Sequence, residues 1–332
     1  MKRLPLIAGL LGLALLAALV AHSGFGEILG VLNTAGWGLL WLVPFHALPL
    51  LFDAEGWRVL LHPRDPVRHA TLPWLWWIAT IREAVSRLLP LASVGGELVG
   101  IRLALLRPLP APAVAASVIV EVLLTVVNQF LFTALGLVLL LAATQDHDLL
   151  GTLALGLAVS LPVPIGLYLL LRHGSLFARV ERGLIAMLGE ESRVAALFGD
   201  AVVLDAEVRA LTARYATLTL ALFWQLAGMT VGAFETWLAL HLLGHDVSPQ
   251  AALAVEGLTL ALRHFAFFVP GGLGVQEAGY VVFGRLVGLP AEVSVALSLA
   301  RRLREVGFGI PALLSWQWVE TRALWRRQAE RG

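Results

Sequence analysis

The chain of 332 residues is 58% hydrophobic and only 14% charged, with a mean hydropathy of +0.82, where a soluble domain carries about a quarter charged residues. A soluble enzyme is excluded, and so is a β-barrel, because the apolar stretches are continuous rather than alternating. Without cysteine there is no disulfide, thiol redox chemistry or thiolate metal site; the net charge of +1 names no partner, and nucleic acid is not expected as one.

Apolar runs of about 20 residues, enough to cross a hydrocarbon core of roughly 30 Å, recur along the chain. The first covers 4–21, behind Met1-Lys2-Arg3. It is longer than the roughly 7–15 residues of a signal peptide and lacks a clear small-x-small cleavage site, so it reads as an uncleaved anchor. A second span covers 29–52, and a polar stretch follows over 53–71 with Arg58, Arg64 and Arg68. The next apolar segment, 72–106, is too long for one span and is interrupted by Pro90 and Gly95-Gly96. A span over 113–143 ends in the turn Gln145-Asp146-His147-Asp148, and another covers 149–171. The stretch 172–216 sets apolar residues at helical spacing among Arg and Glu, which suits a surface helix pair at the membrane interface. A span over 217–243 precedes a second interrupted segment, 249–289, broken at Pro270-Gly271-Gly272. The last span is 291–319, before an Arg-rich tail at 320–332. Trp74, Trp76 and Trp77, and Trp316, Trp318 and Trp325, fit an aromatic belt at two interfaces.

Arginine placement sets the expected orientation. The N-terminus, the 53–71 loop, the 172–215 stretch and the tail are Arg-rich and read as cytoplasmic. The turns near 23–27, 145–148 and 245–246 lack Arg and Lys and read as external. This alternation holds only if each interrupted segment enters and leaves on the same side, as a re-entrant hairpin. The expected fold is therefore an all-α polytopic membrane protein of six full spans and two re-entrant helical hairpins, in a bacterial inner (plasma) membrane with both termini cytoplasmic.

The two interruptions resemble each other. One reads Pro90-Leu-Ala-Ser-Val-Gly-Gly-Glu97 and the other Pro270-Gly-Gly-Leu-Gly-Val-Gln-Glu277. The first hairpin enters from the cytoplasm and the second from outside, so 1–143 and 149–319 read as halves of an inverted-topology repeat of the kind that builds secondary transporters. Proline removes a backbone donor and glycine relaxes the backbone, so the helix breaks at these points. A broken backbone survives at membrane depth only inside protein or beside water, which implies a polar cavity between the breaks.

Charges at membrane depth cost about 2.5–3.5 kcal/mol each when they face lipid. Glu97 and Glu277 stand at the hairpin tips, Arg82, Glu83 and Arg87 in the arm before the first, and Glu256, Arg263 and His264 in the arm before the second. Arg301, Arg302, Arg304 and Glu305 lie midway along the last span, Glu121 early in the 113–143 span and Glu235 in the 217–243 span. Two readings stand side by side. The groups form structural ion pairs, with Arg301 and Glu305 one turn apart on one face; or the arginines hold an anionic headgroup by forked hydrogen bonds while glutamates orient the cavity or take protons. The local excess of arginine favours an anionic lipid. The candidate substrate-binding residues are Arg82, Glu83, Glu97, Glu121, Arg263, Glu277, Arg301, Arg302 and Glu305. Nine histidines show no metal-ligand spacing, Gly272-Leu-Gly274 follows a membrane arm rather than a strand, and no Walker sequence or nucleophile elbow occurs, so no metal or cofactor is expected.

At Val269-Pro-Gly-Gly-Leu-Gly-Val-Gln-Glu277 and Leu89-Pro-Leu-Ala-Ser-Val-Gly-Gly-Glu97 the chain resembles the lysylphosphatidylglycerol synthase transmembrane family, the flippase-like integral membrane proteins. The resemblance runs over nearly the whole chain. Through Arg82-Glu-Ala-Val-Ser-Arg-Leu-Leu-Pro90, Ala115-Ala-Ser-Val-Ile-Val-Glu121 and Leu297-Ser-Leu-Ala-Arg-Arg-Leu-Arg-Glu305 it is most similar to the branch associated with hopanoid biosynthesis. The resemblance implies translocation of a membrane lipid. Bifunctional members carry a soluble aminoacyl-transferase domain after the membrane part. Here the chain ends about a dozen residues after the last span, so synthase activity is expected to be absent. Two rival expectations remain: a membrane-embedded lipid-modifying enzyme with Glu97 or Glu277 as base, and a scaffold that associates with lipid-biosynthetic enzymes through 172–215.

Overall fold

Backbone groups in hydrocarbon must bond within their own segment, so long apolar runs close into helices. A computed structural model of the chain describes residues 22, 25–89, 94–143, 147–175, 177, 179, 201–266, 269 and 272–329, and no strand occurs among them. The expected first span at 4–21, the Pro90 and Pro270-Gly271 breaks, the 145–146 turn and most of the 172–216 stretch lie outside the described residues.

The chain runs through α1 (Phe25–Ala35), a 3₁₀ segment Gly36–Trp41, α2 (Leu42–Leu61), α3 (Leu72–Leu88) and α4 (Val94–Ala104). It continues through α5 (Ala111–Ala143), α6 (His147–Ser160), α7 (Pro162–His173) and α8 (Ala201–Thr212). The last four are α9 (Tyr215–Leu242), α10 (Pro249–Phe265), α11 (Val275–Leu286) and α12 (Ala291–Ala329). Among the described residues, four stretches are long and apolar enough to cross a membrane: Phe25–Arg64, Ala111–Leu140, Ala154–His173 and Tyr215–Leu242. They coincide with four of the six expected spans. The sixth, 291–319, lies within the continuous helix α12, whose charged middle sets it apart from the other four.

One boundary differs from the sequence reading. The helix expected to end at 52 continues to Leu61, because Ala54, Trp57, Leu60 and Leu61 give it an apolar face that is buried in the core. Asp53, Glu55 and Arg58 therefore ride on a helix rather than in a loop.

The two interrupted segments each fold back on themselves. In the first, Arg82 of α3 meets Glu97 of α4, while Arg107, just past α4, donates to Thr71 Oγ1 at 3.0 Å, just before α3. Contacts near both ends make α3 and α4 an antiparallel pair. In the second, Arg263 Nη1 of α10 donates to Gln276 Oε1 of α11 at 3.2 Å, and Tyr280 OH of α11 donates to Glu256 Oε2 of α10 at 2.8 Å. These are antiparallel as well.

Packing between elements follows an exchange rule. Helix α12 packs on α3 as α5 packs on α10; α2 packs on α3 as α9 packs on α10; α4 packs on α5 as α11 packs on α12. The centre of the exchange is the close pairing of α2 with α9. It is tight because a Cβ at Gly56 would lie 3.2 Å from the Ala221 carbonyl oxygen, and one at Gly228 would lie 3.1 Å from that of Pro49. Small residues let membrane helices approach this closely. Outside this frame α8 packs on α5 and α7, burying Val208 and Leu211 with Leu60, Leu123 and Leu171.

Two of the belt tryptophans on α3 are tied into neighbouring helices, while Trp318 is exposed. Trp76 Nε1 donates to the Ala47 carbonyl oxygen at 3.0 Å and Trp77 Nε1 to Ser315 Oγ at 3.0 Å, so α3 is stitched to α2 and α12.

Candidate functional site

The charged residues that could not face lipid face one another. In the first half the stem of Arg82 lies across α4, where a Cβ on Gly100 would come within 2.6 Å of Arg82 Cδ. Glycine at that position leaves the passage. The guanidinium carbon lies 5.0 Å from the Trp57 ring centroid, a cation–π contact. From there Nη1 donates to both oxygens of Glu121, at 3.1 and 2.9 Å, and Nη2 donates to Glu97. One cation thus bridges α3, α4 and α5.

The second cluster is larger and centres on α12. Arg301 donates to Glu256, to Thr236 Oγ1 at 2.7 Å and to Tyr280 OH at 2.5 Å. Glu256 Oε2 also accepts from Thr236 Oγ1 at 2.6 Å as well as from Tyr280. Arg304 Nε lies 3.3 Å from Glu235 Oε1, and Arg304 also contacts His46. His46 Nδ1 is 2.9 Å from Glu235 Oε2, and its Nε2 is 3.8 Å from Glu83 Oε1. Glu83 accepts from Arg87 Nε at 2.8 Å, and Arg87 Nη1 lies 3.5 Å from Glu305 Oε1. Arg302 closes the chain of contacts, 3.1 Å from Glu305 and 3.2 Å from Glu277; Ser298 Oγ donates to the same Glu277 oxygen at 3.0 Å.

The nine residues nominated from sequence divide between these clusters. Arg82, Glu97 and Glu121 form the first; Glu83, Glu277, Arg301, Arg302 and Glu305 belong to the second. Arg263 stands apart, donating to Gln276 with no carboxylate partner among the described residues. Glu97 and Glu277 each sit in the first turn of the helix after the break, where the helix dipole favours a carboxylate. The expected pairing of Arg301 with Glu305 does not occur. The side chains lie one turn apart, but Arg301 is drawn into the Glu256–Tyr280–Thr236 pocket and Glu305 is held by Arg302 and Arg87. Nor is the second cluster a water-filled chamber: Glu277 is 0% exposed, Glu235 1% and Arg304 2%.

The arginine excess of α12 also vanishes in three dimensions. Around Arg87, Arg301, Arg302 and Arg304 stand Glu83, Glu235, Glu256, Glu277 and Glu305, with His46 among them. The carboxylates lie on α3, α9, α10 and α11 as well as α12, so counting charges along one span misjudged the balance. Two further groups went unread. His46 joins the cluster from α2. Asp53 lies two turns along the same helix, 3.0 Å from where a Cβ on Gly228 would be, with no hydrogen-bond or ion-pair partner among the described residues. Their spacing of seven puts both on one face of α2, a relation that holds only because the helix runs past residue 52 to Leu61.

Unspent hydrogen-bonding capacity is present near the second break. Among the described residues Glu277 Oε2, Gln276 Nε2 and Thr259 Oγ1 are buried without a partner, and buried polar groups left so are rare enough to need an explanation. A Cβ at Gly272, whose φ is +62°, would lie 2.7 Å from Arg263 Cγ, so the Arg263 stem folds over the glycine of the break itself. Together these groups offer one acceptor, one amide donor, one hydroxyl and one guanidinium to something further.

No curated protein and no solved structure matches the chain. The family model described as the lysylphosphatidylglycerol synthase TM region matches residues 6–312, and the chain belongs to that family of membrane proteins concerned with lipid handling.

Proposed function

We propose that the protein carries an anionic or amphiphilic lipid between the two leaflets and does not transform it chemically. The observation that carries this reading is the pair of buried ion clusters, one joining the first broken segment to α5 and the other joining α3 and the second broken segment to α12, with donors and an acceptor left unspent among the described residues at Arg263, Gln276 and Glu277. A headgroup with a phosphate and a polar or cationic end has a partner for each part there. Pairs that break and re-form around such a group give the two halves two arrangements of similar energy, as a carrier requires. The closed network is then the occluded form.

The exchange symmetry of the packing supports reading the interrupted segments as re-entrant hairpins and the halves as an inverted repeat. The contact of Arg107 with Thr71 supports the same-side entry and exit of the first hairpin. Arginine placement supports a bacterial inner membrane with cytoplasmic termini. The link to hopanoid metabolism is proposed on the three segments quoted from the sequence.

The test is leaflet exchange of headgroup-labelled phospholipids in vesicles holding the purified protein. The wild type should accelerate exchange, and Glu277→Gln and Arg263→Gln should reduce it by about tenfold or more, the loss of a charge-assisted contact. Wild-type vesicles that exchange lipid no faster than empty ones sink the proposal.

A further inference from the structure

Beside the first ion cluster, α2, α5 and α9 bring a further set of polar groups together. On α9, Gln225, Gly228 and Met229 share one face at helical spacing, and each meets a neighbouring helix. Gln225 Nε2 lies 3.4 Å from the Glu121 carbonyl oxygen of α5, and its Cγ lies 3.5 Å from where a Cβ on Gly56 of α2 would be. Asn128 Nδ2 of α5 lies 2.9 Å from Met229 Sδ. Asp53 of α2 reaches the same turn, with Oδ1 3.0 Å from the place of a Gly228 Cβ.

Donors and acceptors do not balance there. The Glu121 carbonyl fixes which way the Gln225 amide faces, because it can accept only from the nitrogen. Both amide nitrogens are spent, and the oxygens point the other way. Gln225 Oε1 and Asn128 Oδ1 are buried with no donor among the described residues, on residues only 4% and 1% exposed. The Asp53 carboxylate accepts from none of the described residues either. Charge is short in the same sense. The ionisable groups within electrostatic reach of Asp53 are Arg82, Glu83 and Glu121. Arg82 is already shared between Glu97 and Glu121, and Glu83 has Arg87. Asp53, Glu97 and Glu121 therefore divide one guanidinium, at a depth where unpaired charge is costly. Unspent acceptors and surplus negative charge call for the same thing, a cation.

We infer that Asp53, Asn128 and Gln225 form a site for a monovalent alkali cation between α2, α5 and α9. Carboxylate and amide oxygens are the ligands of hard cations. One carboxylate with two neutral amides matches a single positive charge better than a divalent ion, whose sites gather about six or more oxygens. Asp53 is only partly buried, which leaves the site a way in. The site does not depend on lipid translocation, and its test reads binding alone.

The full-length protein in detergent is unfolded by heat at fixed pH in sodium, potassium or choline chloride of matched concentration. Sodium or potassium should raise the wild-type Tm by about 2–4 °C over choline, the shift of a site filled several-fold above its dissociation constant. The rise should shrink or vanish in Asp53→Asn and in Gln225→Leu, each compared with itself in choline so that baseline stability does not enter. Equal wild-type midpoints in the three salts, or a rise that persists undiminished in either variant, overturn the inference. A midpoint that ignores the alkali cations but moves with pH in the wild type and not in Asp53→Asn overturns it in favour of a proton on Asp53.

Discussion

Glu256 accepts from Arg301, Thr236 and Tyr280 at once, so its removal strands a buried cation. Breaking one partner of a buried pair costs about 3–5 kcal/mol, whereas replacing both by apolar residues can be nearly neutral. Glu256→Leu should therefore lower stability by about that amount, and Glu256→Leu combined with Arg301→Met should recover most of it. Thermal unfolding of the purified protein in detergent checks both; two independent, additive losses would show that the pair is not coupled. Asp53 should behave differently. It has no partner among the described residues to strand, so Asp53→Asn should leave stability within about 1 kcal/mol of the wild type. A loss as large as that of Glu256→Leu would mean that Asp53 is an ionised member of the network. At this scale the sequence was legible in part. Charges deep in apolar segments had to be buried and had to meet, and that physical argument found Arg82, Glu97, Glu121 and the α12 cluster. Which charge meets which depends on helices far apart in the chain, so the Arg301–Glu305 pairing drawn from local spacing failed.

Helices α3 and α4 pack closely because Gly100 leaves room for the Arg82 stem, and α10 and α11 because Gly279 leaves room for Thr259. The Cβ that Gly100→Ala would add lies 2.6 Å from Arg82 Cδ, within reach of a flexible side chain that can move. That substitution should displace Arg82 from Glu97 and Glu121. At Gly228 the obstacle is the Pro49 carbonyl oxygen, 3.1 Å away, which cannot yield without moving α2. Gly228→Ala should therefore cost about 1–3 kcal/mol, the range for overpacking. Gly30→Ala is a control, since nothing stands within 4 Å of its added Cβ, and it should be neutral or slightly stabilising. Unfolding midpoints of the three variants check the order; equal effects at Gly228 and Gly30 would contradict the close α2–α9 contact. The element boundaries themselves were readable where proline and glycine punctuate the chain. The end of α2 was not, because a run beginning Asp53-Ala-Glu looks like a loop until Trp57, Leu60 and Leu61 are seen to be buried.

At the scale of the whole molecule, the packing of α2–α5 mirrors that of α9–α12, and the ion network crosses between them from His46 and Glu83 to Glu235 and Arg304. The similarity of the Pro90–Glu97 and Pro270–Glu277 segments already pointed to related halves. What single-chain reasoning could not supply was the crossing itself, in which each closing helix packs on the first arm of the other half. The central claim is that these halves stand in opposite orientations, with each broken arm entering and leaving by its own face of the membrane. Because the chain has no cysteine, single cysteines report sidedness cleanly. Val67→Cys and Leu106→Cys bracket the first hairpin, and Asp246→Cys and Gly288→Cys bracket the second. Labelled in sealed vesicles with an impermeant maleimide, the first pair should react from one face and the second pair only from the other. If the two positions of either pair react from opposite faces, that segment crosses the membrane and the opposed-halves account is wrong.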